Sequence, residues 1–229
     1  MATHFLTGAG SGIGAATAEL LAARGDRLWL LARDRPTAAR LRERFPTSRT
    51  VVADLAHPAG LAHVLGGPAA PPRLDSLLHI AGTADWGPVG DSDHELWRRT
   101  LTVNLLAPAE LTRLLLPALR TAQGHVVFMN SGAGLHAPPG LGAFAASKFA
   151  LKALAESLRA EEHPHRVRVT TVYPGEVDTP MQRRLHARFR RAYDPAACLT
   201  PQSVAAALAA VLDHPHDGTV SDLTLRPGS

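Results

Sequence analysis

Residues 3–25, THFLTGAGSGIGAATAELLAARG, place a short apolar run, a glycine-rich turn and an Ala/Leu-rich run in immediate succession. The first run, 3–8, reads as a strand, and 12–25 reads as a helix closed by Gly25. Glycines at 8, 10, 12 and 14 occupy the turn between them. A strand feeding a helix through so tight a turn is the opening of a parallel βα unit.

The same alternation continues along the chain. Strands are expected at 27–33 (RLWLLAR), 49–55 (RTVVADL), 74–82 (LDSLLHIAG), 124–132 (GHVVFMNSG), 166–175 (RVRVTTVYPG) and 220–227 (VSDLTLRP). Helical patterns fill about 93–120, about 141–162 and 200–212, and Pro36 suits the first turn of a further helix. Strand and helix in alternation imply a doubly wound parallel sheet of about seven strands, helices covering both faces. No repeat or long linker divides the 229 residues, so 1–229 reads as one α/β domain, with GGPAAPPR (66–73) as a surface loop.

Composition narrows the class. No apolar run reaches the roughly 18 residues of a membrane span. MATHFLTGAG has no basic stretch ahead of an apolar core, so no secretion signal is expected. Cys198 is the single cysteine, which removes an internal disulfide and a cysteine-built metal cage; no metal site is expected. A cytoplasmic location is the simplest fit to these features. The net charge is only +4, and no nucleic-acid-binding module accompanies it. Arginine dominates the basic residues; Lys148 and Lys152 are the only lysines. A lysine kept in such a chain is informative, because its pKa shifts readily and arginine cannot replace it in proton chemistry.

The glycine turn is suited to a pyrophosphate. Gly8, Gly12 and Gly14 let the backbone approach closely, and the following helix presents free N–H groups and a positive dipole end. After the second strand comes LLARDRP. Arg33 there suits a ribose 2′-phosphate, which favours NADP(H) over NAD(H), whereas an acidic residue would suit the free hydroxyl. Asp54, after the third strand, is placed for the adenine amino group.

With these motifs in order, the chain resembles the classical short-chain dehydrogenase/reductases over nearly its whole length. TGAGSGIG (7–14) is similar to the family's TGxxxGxG. HIAG (79–82) stands for NNAG and departs at His79 and Ile80. VNL (103–105), MNSGAG (129–134) and YPGEVDTPM (173–181) follow. The resemblance implies an oxidoreductase that interconverts a carbonyl and an alcohol by hydride transfer. It implies cofactor contacts from Thr7, Gly8, Gly10, Ser11, Gly12, Ile13, Gly14, Arg33, Asp54, Leu55, Ala81, Gly82, Lys148, Pro174, Gly175, Val177 and Thr179. It implies a catalytic set of Asn104, Ser131, Lys148 and a tyrosine four residues before Lys148 and thirteen after Ser131. That position is Phe144, which has no proton to give.

Three accounts of Phe144 stay open: an introduced Tyr→Phe change, a natural variant with another donor (His136 or Tyr173), or a non-redox or regulatory cofactor-binding role on this scaffold. The first two leave a slow carbonyl reductase with cofactor binding intact. Residues 179–199 are expected to roof the substrate pocket and carry Arg183, Arg184, Arg188, Arg190 and Arg191. Trp86, His136 and Tyr173 are its expected lining. The helices at 93–120 and 141–162 have apolar stripes wide enough for core and partner, so a homodimer or homotetramer is expected.

Overall fold

The computed structural model describes residues 1–66, 70–190 and 192–228. Strand β1 (Thr3–Thr7) lies centrally in a seven-stranded sheet. The others are β2 (Arg27–Ala32), β3 (Arg49–Val52), β4 (Ser76–His79), β5 (His125–Met129), β6 (Arg168–Pro174) and β7 (Asp222–Leu225). Their spatial order is β3-β2-β1-β4-β5-β6-β7, and every pairing is parallel. The order reverses between β1 and β4, which opens a crevice above their carboxyl ends.

The helices are α1 (Gly12–Ala23), α2 (Arg35–Arg44), α3 (Leu61–Val64), α4 (His94–Leu101), α5 (Ala107–Ala122), α6 (Gly142–Glu162), α7 (Pro180–Phe189) and α8 (Pro201–Leu212). Strand residues alternate between faces, and the core divides accordingly. Phe5, Leu77, Val126, Phe128 and Val169 face Leu111 and Leu115 of α5 and Leu151 and Leu158 of α6. Leu6, Leu30, Leu78, Val127 and Val172 face Leu21 of α1, Leu41 of α2 and Leu208 of α8. All of β5 and β6 is buried, as interior strands of a parallel sheet covered on both faces should be.

Two expected boundaries shift for local reasons. The strand after residue 49 ends at Val52, because Asp54 turns the chain by accepting from the Ala56 N–H at 2.9 Å. The helical region expected over about 93–120 is α4 and α5 joined by a π-helical turn, Thr102–Leu106. Wide turns of this kind re-aim a side chain out of the regular helical phase. The loop expected over 66–73 lies partly outside the described residues. Among the described residues, no helix is long and apolar enough to cross a membrane, and no group of three or more His, Cys, Asp or Glu could hold a metal.

Candidate active site

Above the crevice lies a cleft of about 640 Å³. One end is built by the glycine turn. Gly12 adopts φ +53°, and a Cβ there would come within 2.9 Å of Thr179 Cγ2, so the start of α7 rests on the turn. A Cβ on Gly14 would meet Gly8 O at 2.2 Å, which lets α1 begin directly against the end of β1. Ser11 at the N-terminus of α1 makes no side-chain cap, whereas Asp34, Asp93, Thr179 and Thr200 cap α2, α4, α7 and α8. The first N–H groups of α1 are therefore left facing a polar, glycine-lined cradle, which fits a phosphate.

Thr7 holds the neighbouring wall in place. Its buried hydroxyl accepts from the N–H groups of Ile80 and Ala81, each at 3.0 Å. This fixes the loop after β4, so that Ala81 and Gly82 line the cleft. His79, where the motif departs from Asn, is a core residue. It stacks on Phe128 at 4.9 Å and pairs with Thr112 Oγ1 at 2.9 Å. Burial pushes its pKa down to about 3, so it is neutral.

The other end of the cleft holds Ser131, Phe144 and Lys148. The four-residue spacing on α6 puts Phe144 and Lys148 on one helix face, with Lys148 Nζ 5.6 Å from the centroid of the phenyl ring. Lys148 is buried, and its ammonium donates to Met129 O at 2.8 Å. Burial pushes its pKa down to about 8. Ser131 follows β5, and its Oγ accepts from the Ala133 N–H at 3.2 Å.

Asn104, carried on the π turn, lies behind this end rather than on its surface. Its amide brackets Thr83, accepting from the backbone N–H at 2.8 Å and donating to the carbonyl at 2.8 Å. It also donates to Ser147 Oγ at 3.0 Å, and Ser147 in turn donates to Phe144 O. A second strut comes from Asn130. Its Nδ2 donates to Lys148 O at 3.0 Å and its Oδ1 accepts from the Ser131 N–H at 2.8 Å. Ser147 and Asn130 were not singled out from sequence. Both lie beside residues that were, but a hydrogen bond across elements leaves no periodic trace.

The cleft brings together Gly8, Ser11, Gly12, Ile13, Gly14, Ala81, Gly82, Ser131, Phe144, Lys148, Pro174, Gly175, Val177 and Thr179. Thr7 and Asn104 act behind it. Gly10 borders a separate hollow with Thr37 and Arg40. Arg33 is exposed and pairs with Asp34, whose carboxylate caps α2 through the Thr37 N–H. Asp54 is occupied in its own turn, and Leu55 is buried in the core, so neither lines the cleft.

Three expected pocket residues lie elsewhere. Tyr173 is buried within β6 off the cleft, and burial pushes its phenol up to about 12. His136 is exposed on its loop and does not reach the cleft. Trp86 stands behind the lining. It packs edge-on against Phe189 at 5.4 Å and is so close to Gly140 that a Cβ there would meet its Nε1 at 2.0 Å.

A glycine-rich turn at the switch point of a parallel sheet, with a serine and a buried lysine at the far end of the cleft, is the arrangement of a dinucleotide-binding class of protein. The family model described as short chain dehydrogenase matches residues 2–189. The chain belongs to the short-chain dehydrogenase family. It is 35% identical over 190 residues to dehydrogenase/reductase SDR family member 7B of Bos taurus, covering 76% of this chain and 57% of that protein. An uncharacterized oxidoreductase of Staphylococcus saprophyticus is 28% identical over 229 residues, covering 97% of this chain and 95% of that one. Among solved structures, a candidate NAD(P) dependent gluconate 5-dehydrogenase from Beutenbergia cavernae, crystallised with bound NADP at low occupancy, superposes with a TM-score of 0.88. The two are 30% identical, over 99% of this chain and 96% of that one.

Proposed function

We propose that this chain is an NADP(H)-dependent oxidoreductase that interconverts a carbonyl and an alcohol, and that Phe144, standing where the family carries tyrosine, slows proton transfer. The observation that carries the reading is the convergence of Ser131, Phe144 and Lys148 on the same cleft as the uncapped start of α1. A reduced nicotinamide, when bound, supplies hydride to the carbonyl carbon. Ser131 Oγ donates a hydrogen bond to the substrate oxygen as negative charge develops there. Lys148, held beside Met129 O, orients the nicotinamide ribose and keeps a positive charge near the developing alkoxide. The proton reaches the oxygen from water, because the phenyl ring of Phe144 offers none.

NADP(H) over NAD(H) follows from the end of β2. Asp34 caps α2 and also meets Arg33, whose exposed guanidinium would suit a 2′-phosphate. Thr179 and Val177, with the backbone at Gly175, suit the carboxamide end. Leu106 and Phe149, apolar and 52% and 44% exposed, suit a partner copy across the α5–α6 face, and a homodimer or homotetramer is the assembly proposed. Activity in the cytoplasm is proposed on the same basis as before, the sequence features alone.

Titration with NADPH and NADH, followed by ketone-dependent NADPH oxidation, tests the reading. It predicts tighter binding of NADPH, and loss of that preference in Arg33→Ala. Equal affinity for both nucleotides in the unaltered chain would remove the role given to Arg33.

A further inference from the structure

The inference below deepens the proposed reading of the cleft by naming the substrate class, and rests on it. Helix α7 turns Met181, Leu185 and Phe189 toward the cleft, at the four-residue spacing of one helix face. Opposite stand Leu141 and Phe144. These five side chains give part of the cleft a hydrocarbon lining.

Among the described residues, one lysine, one arginine and one histidine line this cleft: Lys148, Arg184 and His186. Lys148 is held by Met129 O. His186 is clamped between Ala192 O at 2.9 Å and Glu176 Oε2 at 3.2 Å, which also occupies the carboxylate lining the cleft. The other lid arginines are committed or turned away. Arg183 forks onto Asp178, with Nη2 at 2.9 and 3.1 Å from the two oxygens. Arg188 and Arg190 do not line the cleft, and Arg191 lies outside the described residues. Arg184 alone combines a place on the cleft with no hydrogen-bond or ion-pair partner among the described residues.

We propose that Arg184 receives the carboxylate of the substrate, so that the chain acts on oxo acids or hydroxy acids with a hydrocarbon body. A guanidinium fork matches a carboxylate with two parallel hydrogen bonds, and Arg184 is exposed at the cleft, where an incoming carboxylate can reach it. The dinucleotide pyrophosphate is the competing anion. It is already served by the start of α1, and Thr179 is the part of α7 that rests there. Arg184 lies five residues further, about 7.5 Å along the helix toward Phe189 at 1.5 Å per residue.

Calorimetric titration of the full chain with 3-phenylpropionate and 3-phenylpropionamide, with and without saturating NADP, reads the charge contrast without needing turnover. The acid is expected to bind at least tenfold more tightly than the amide. Arg184→Gln should remove that preference, Arg184→Lys should restore part of it, and NADPH affinity should stay within twofold in both. Equal binding of acid and amide, or no binding of either at millimolar concentration, overturns the proposal. So does a tenfold loss of NADPH affinity in Arg184→Gln, which would put Arg184 on the pyrophosphate. Failure of the unaltered chain to bind NADPH would instead strike the redox reading, and the acid–amide contrast of the unloaded chain would still decide Arg184.

Discussion

The ammonium of Lys148 lies 5.6 Å from the centre of the Phe144 ring and bonds instead to Met129 O. The two side chains are neighbours on α6, yet the ring has no oxygen through which the lysine charge could act. On the proposed reading, the site keeps a positive charge and lacks a proton donor at position 144.

Restoring the donor is the sharpest perturbation of chemistry. Phe144→Tyr adds one oxygen to a ring already lining the cleft. General acid catalysis contributes about 10²–10⁴-fold, so ketone-dependent NADPH oxidation should rise by that order with NADPH affinity unchanged. Steady-state kinetics on a panel of ketones checks it. A variant that folds, binds NADPH and gains nothing would argue for a non-redox role.

Lys148 should burden the fold it serves. Its pKa falls from 10.5 to about 8 through burial, so below pH 8 the folded protein carries a poorly solvated charge. At about 1.4 kcal/mol per pKa unit that costs about 3–4 kcal/mol, offset by about 1 kcal/mol for the bond to Met129 O. Lys148→Met should stabilise the cofactor-free protein by about 2–3 kcal/mol at pH 7 while abolishing turnover. The cost exists below pH 8 and disappears as pH climbs from 8 to 10.5, so the variant's advantage in urea unfolding should shrink over that window. A variant that is less stable at pH 7 would refute this.

Acid sensitivity should come from buried histidines. Burial holds His79 and His125 near pKa 3, far below the ordinary 6.5. His4 is also lowered by burial. His79 and His125 fold as neutral rings, so their contribution is full above pH 6.5 and is lost as pH falls toward 3. The loss is about 1.4 kcal/mol per histidine per pH unit, or about 4 kcal/mol for His79 and His125 together at pH 5. Urea midpoints at pH 7 and 5 measure it, and His79→Leu should flatten the slope. Equal midpoints at the two pH values would contradict it.

Assembly is testable on Leu106 and Phe149. Replacing both with glutamate puts charge on an exposed apolar face without touching the core. Light scattering should show the unaltered chain as a dimer or tetramer and the double variant as a single chain. An unaltered chain that already runs as a monomer would remove the proposed interface.

The sequence made the sheet and the glycine turn legible because both depend on local spacing. Phe144 and Lys148 share a helix face, and that too is readable from a separation of four. Asn104 was legible only by resemblance, since a π turn breaks the helical period that would have aimed it. Tyr173 and His136 were misplaced as pocket residues for a different reason. A strand such as β6 is buried on both faces, so its pattern does not say which face meets the cleft, and a loop such as that of His136 has no period at all. The arginines of α7 spread around the helix. The pairing of Arg183 with Asp178, formed across a turn, and the place of Arg184 on the cleft separate the two.

The central claim is that a pyridine nucleotide lies across the carboxyl ends of β1 and β4, its phosphates at Gly12 and Gly14 and its ring toward Ser131 and Lys148. Fluorescence titration of the full chain with NADPH, alongside Gly14→Val, tests it most directly, with circular dichroism to verify that the variant folds. Saturable micromolar binding by the unaltered chain, lost in a folded Gly14→Val protein, is the predicted result. No saturable binding of either NADPH or NADH by the unaltered chain would contradict the account at its base.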